Sequence, residues 1–195
     1  MGKRIASERL TVLDDPVQPH GLGSNPRDEE GVPSRRVPLV SRGTMRGALF
    51  DLASAAQYDG RTTSSGVRGE SWGAGSGYEN SPSPGARNVR FEVRGAQPLE
   101  RLLGEVERGV LVNEVLGVHT ANAVTGEFGV TSSSLLYVED GEIVHALRPC
   151  GLSGAMPKML LAIEGASRET KSHSGDHGGA FTTPTVAFRG VRVVP

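Results

Sequence analysis

The sequence predicts an α+β fold: a β-dominated single domain of mixed and antiparallel strands with about three short helices. Three observations lead there. Gly and Pro, at 27 and 12 of 195 residues, are about a fifth of the chain and lie scattered among apolar runs, the spacing of a turn-rich β protein. Short runs that alternate apolar and polar side chains recur between those turns. Helix-forming residues at helical spacing are confined to three brief stretches. At this length the prior of roughly 100–200 residues per domain favours one domain over residues 1–195.

Each element follows from local chemistry. Residues 9–14 alternate as a strand that Asp15-Pro16 ends, because proline removes a ladder donor and pushes its predecessor out of the helical region. Residues 32–40 and 44–50 read as a hairpin turning at Ser41-Arg42-Gly43. Asp51 is an N-cap for a helix over 52–58, stopped by Asp59-Gly60. Residues 60–86 mix Gly, Ser, Thr and Pro around Trp72 and Tyr78, which predicts a long loop that either docks something or is simply solvated. Residues 88–93 alternate as a strand, and residues 98–106 form a helix with Pro98 in its first turn and Gly109 as its stop. From 110 to 148 a meander is expected, with strands at 110–116, 118–124, 127–130, 134–139 and 142–147. Asp140-Gly141 is its strongest hairpin signal, since both residues tolerate positive φ. A helix over 155–163 and a strand over 185–194 close the chain. No solenoid-length repeat is present.

Composition excludes several function classes. A formal net charge of -1, with Arg and Glu interleaved, provides no field for a polyanion, so nucleic-acid binding is not expected. No apolar run reaches the roughly 18 residues that span a bilayer, so no membrane partner is expected either. Met1-Gly2 lacks the Ser or Thr that myristoylation wants at position 6, which is Ala6. The single Cys150 excludes an intramolecular disulfide and suits a reducing, cytoplasmic compartment.

The residues that could carry chemistry are few. Asp14, Asp15, Asp28, Glu29 and Glu30 could hold a hard cation or act as acid and base, but Asp15-Pro16 and Glu30-Gly31 are also ordinary turn chemistry. His173-Ser174-Gly175-Asp176-His177 has an inverted zinc-peptidase spacing with Asp for Glu. The glycines at 175, 178 and 179 would each cost about 1 kcal/mol in the helix that such a motif needs, so residues 172–179 read as a flexible turn. Gly151-Leu152-Ser153-Gly154 falls one residue short of a nucleophile elbow, which leaves Cys150 as a buried thiol and Ser153 as a turn serine.

Several blocks occur together and in order: Leu13-Asp14-Asp15-Pro16, Gly21-Leu22-Gly23-Ser24, Asp28-Glu29-Glu30-Gly31, residues 63–68, Asn122-Ala123-Val124-Thr125-Gly126-Glu127-Phe128, residues 138–143 and residues 152–156. They resemble the C-terminal domain of the TldD/PmbA family, zinc peptidase subunits once called modulators of DNA gyrase, over nearly the whole chain. The sequence departs from the family pattern at Glu127 and Gly129, where Asp and Ser are expected. The family's His-Glu-x-x-x-His helix is missing, since none of His20, His119, His145, His173 or His177 is followed by Glu. The resemblance therefore implies the C-terminal part of a subunit, cut free or encoded without its N-terminal half.

What the resemblance implies for function is specific. Zinc-bearing members place a Cys-Gly ligand in the late loop where this chain has Ser174-Gly175, and serine supplies no thiolate. That points to the PmbA (TldE) type, with no cofactor in this chain and zinc expected in a TldD-type partner. The implied peptide cleft is lined by Asp28, Glu29, Gly31, Arg68, His119, Asn122, Thr125 and Gly126, none of them catalytic. It would hold an extended or unfolded peptide by strand addition. The expected partners are a TldD-type subunit or a second copy. Two other readings stand beside this one: a stand-alone interaction module, and a zinc hydrolase using His173 and His177.

Overall fold

The computed structural model describes residues 1–58, 60–69, 79–174 and 179–194. Among the described residues strands dominate, in mixed and antiparallel sheets with three short helices, as the sequence predicts. Contacts group the residues into two compact units, each built from three separate chain segments.

The first unit comprises 1–4, 10–92 and 170–184. A six-stranded sheet contains β1 (Leu10–Asp14), β2 (Val37–Ser41), β3 (Thr44–Met45), β6 (Asn88–Val93), β12 (Ile163–Ser174) and β13 (Ala180–Phe188), in the order β12-β13-β6-β1-β2-β3. β1 pairs antiparallel with β2, whereas β13 pairs parallel with β6 through Ala180–Asn88, Phe181–Val89 and Thr182–Arg90. Along β1 the period of two buries Leu10, Val12 and Asp14, so a carboxylate occupies a core-side position. The hairpin at Arg42-Gly43 forms with φ of 46° and 73°, the left-handed pair that a two-residue turn demands. Its second strand stops at Met45, well short of residue 50. Helix α1 (Leu52–Tyr58) starts as expected, with Asp51 Oδ1 accepting from the Ser54 amide at 2.7 Å.

The expected long loop at 60–86 is not structureless. Gly66–Val67 (β4) and Ser83–Pro84 (β5) pair antiparallel, so a small ladder closes it. Trp72 and Tyr78 lie outside the described residues, as do Asp59, Gly175, Asp176, His177 and Gly178.

The second unit comprises 5–9, 93–169 and 185–195. One of its sheets has the order β10-β9-β7, from β7 (Arg108–Val112), β9 (Leu135–Glu139) and β10 (Glu142–Ala146). The β9–β10 turn is Asp140-Gly141 with φ of 48° and 82°, as its sequence predicts. The other sheet has the order β14-β11-β8, from β8 (Glu127–Ser132), β11 (Cys150–Ala155) and β14 (Arg192–Val194). Buried Val130, Leu135, Cys150 and Leu152 form a core, flanked by half-buried Val110, Phe128, Leu147 and Val191. Helix α2 (Leu99–Gly104) follows Pro98 and α3 (Met156–Leu161) follows β11.

Several expectations change here. The meander splits into two sheets. Residues 118–124 form no strand: Gly117, at φ 90°, turns the chain into a 3-10 turn at Val118–Thr120, and an Asn122 turn follows. Helix α2 ends at Gly104, so Gly109 is a strand residue and not its stop. Ser153 is no turn serine; it pairs with Gly129 on one side and Arg192 on the other. His173 and Ser174 end the long strand β12, where a flexible turn is expected.

Candidate functional site

Two groups of candidate residues are built differently, one in each unit. In the first unit, Asp14 and Asp15 are each only 1% exposed. Asp14 Oδ1 accepts the backbone N–H of Arg87 at 3.0 Å and of Asn88 at 2.7 Å. Burial, the largest influence, raises the Asp14 pKa above its ordinary 3.8, and Asp15 adds to this; the two backbone donors and the Arg87 charge pull the other way. Asp15 Oδ2 is paired with the Arg36 guanidinium at 2.7 Å. Asn88 is the hub of this corner. Its amide donates to the Asp15 carbonyl at 3.0 Å and to Ser24 Oγ at 2.8 Å, and its Oδ1 accepts the Gly23 N–H at 2.9 Å. Gly23 lies so close that an added Cβ would sit 2.2 Å from the Arg87 carbonyl oxygen, which explains the glycine.

The Asp28-Glu29-Glu30-Gly31 block folds onto residues 66–68. Asp28 Oδ1 accepts the amides of Glu30 at 3.1 Å and Val32 at 2.8 Å, an Asx turn, and its Oδ2 accepts the Gly66 amide at 3.2 Å. Glu29 accepts the Arg68 amide and pairs with Arg87 at 3.0 Å. Glu30 reaches the first amide of α1, Leu52, at 2.8 Å. Gly31, at φ 82°, closes the turn, and its carbonyl accepts from Arg27 at 2.7 Å. The Arg68 guanidinium donates to the Asn80 carbonyl. Asp28, Glu29, Gly31 and Arg68 are thus brought together, and the three carboxylates are engaged by the protein's own donors. Their chemistry here is loop closure.

In the second unit, Asn122 Oδ1 accepts the amides of Val124 at 2.9 Å and Thr125 at 3.0 Å, while its carbonyl accepts from Gly126 at 2.8 Å. Gly126 holds φ 72°, and its carbonyl accepts the Met156 amide that starts α3. The result is a closed turn with Val124, 95% exposed, at its apex. His119 is exposed on the 3-10 turn just before it. His119, Asn122, Thr125 and Gly126 are therefore local neighbours in a different unit from the Asp28 block.

The described residues do not fit a zinc ion: no group of three His, Cys, Asp or Glu is placed to hold a metal. His173 is exposed near the end of β12. The thiol of Cys150 is buried in β11 and belongs to the core. Sequence reasoning missed Asn88, Arg87 and Asn80 as organising residues. Asparagine opening a strand run was the available signal, because its type is depleted in strands.

Residues 1–195 match the model of the PmbA/TldA metallopeptidase C-terminal domain. The solved structure of TldE from Thermococcus kodakarensis superposes with a TM-score of 0.87 at 29% identity, covering 100% of this chain and 42% of that one. Metalloprotease PmbA of Escherichia coli O157:H7 is 25% identical over 190 residues, 97% of this chain and 38% of its own length. A zinc metalloprotease TldD homolog of Saccharolobus solfataricus is 29% identical over 174 residues, 89% of this chain and 37% of its own. The chain thus spans about two fifths of the length of such relatives, 41% in another archaeal case. Ordered turn blocks, strand-dominated fold and end-to-end match agree: this chain belongs to the PmbA/TldD metallopeptidase family and corresponds to its C-terminal domain.

Proposed function

We propose that this domain serves a non-zinc, PmbA/TldE-type subunit, shaping the peptide cleft and the subunit interface while a TldD-type partner supplies zinc and activates water. The observation that carries this reading is the end of β12. Ser174 ends β12 at the position the resemblance assigns to a Cys ligand, and the one cysteine is buried in β11 instead. Serine cannot replace a thiolate as a strong zinc ligand.

In this reading Asp28, Glu29 and Gly31 with Arg68 beside them, and His119 with Asn122, Thr125 and Gly126 in the second unit, each contribute shape and main-chain hydrogen bonds for an extended or unfolded peptide. The engaged acidic side chains argue for that role over direct charge recognition. The whole of residues 1–195 acts as one functional domain of a cytoplasmic subunit, paired with a TldD-type subunit or a second copy. Among the described residues no helix is long and apolar enough to cross a membrane.

The test is a metal assay and a peptide-cleavage assay on the purified chain, alone and mixed with a zinc-bearing TldD-type homologue. The expected result is a metal-free, inert chain that assembles with the homologue and alters its cleavage of an unfolded peptide. Stoichiometric zinc with chelator-sensitive cleavage by the chain alone would overturn the proposal and return attention to His173 and His177. A folded chain that neither joins the homologue nor itself would favour the stand-alone interaction module.

A further inference from the structure

We draw no further inference here: the strongest candidate, the buried acidic pair Asp14–Asp15 at the end of β1 with the unmatched oxygens Asp15 Oδ1 and Gln18 Oε1, carries nothing, because the pair is held by the Arg87 and Asn88 amides and by Arg36 and nothing else at this corner calls for a bound ion.

Discussion

Asp14 shows how one side chain sets a pH dependence. Its folded pKa is raised above the ordinary 3.8 by burial, against the pull of two backbone donors and Arg87. The native state therefore binds the proton more tightly than the unfolded chain does. That contribution to stability is full below 3.8 and is lost as pH rises through the folded value. Asp14→Asn keeps an oxygen for the Arg87 and Asn88 amides but cannot ionise. Its melting temperature relative to wild type is expected to improve as pH rises from 3.8 through the raised folded value. A difference that stays flat across that range would dismiss Asp14 as the source. Gly23 makes a steric prediction at the same scale. Gly23→Ala places a methyl against the Arg87 carbonyl at 2.2 Å, and overpacking of this kind costs about 1–3 kcal/mol. Urea titration should show a lowered midpoint for it but not for Gly129→Ala, where nothing lies within 4 Å; equal midpoints would refute the packing argument.

Elements depend on carboxylates that act as local fasteners. Asp28 serves three amides from two segments, so Asp28→Ala strands half-buried donors in the 28–32 turn and a buried one in β4. A loss on the order of 3 kcal/mol is expected, with Asp28→Asn much milder because it retains one acceptor. Equal losses in chemical denaturation would mean that the charge, and not the acceptor geometry, matters. Turns of this kind were legible from the sequence because donor and acceptor lie within a few residues. Asp140-Gly141, Arg42-Gly43 and the Asp51 cap were readable for the same reason, as were β1 and β6, whose alternation is local. β12 was not legible: residues 163–174 carry exposed charged and polar side chains along most of their length, and their extended form comes from pairing with β13. β11 was hidden too, since Gly151, Ser153 and Gly154 favour a turn, and only ladders on both sides make them a strand. At 118–124 the error ran the other way. β-branched residues suggested a strand, but Gly117 and the Asn122 side chain impose turns. In the candidate site, Asp28 and Asn122 declared themselves, whereas the Asn88 hub joins residues that lie 64 and 73 apart in the chain.

For the whole molecule, the interleaving of segments matters more than any single contact. Each unit takes its last portion from beyond residue 169: residues 170–184 for the first and 185–195 for the second. A chain ending at Glu169 should therefore leave both incomplete, with low protection from limited proteolysis and a broad thermal transition. A sharp transition and a protease-resistant fragment from that truncation would show that one unit closes without its last segment. The parallel register of β13 on β6 sharpens the point, because Ala180 must find Asn88 across ninety-odd intervening residues and such distant pairing is slow to form. During synthesis, then, β6 leaves the ribosome with its eventual neighbour still uncoded into protein. While the residues between β6 and β13 are being made, the nascent chain carries an open strand edge, the interval in which a chaperone or a waiting subunit has its best access to it.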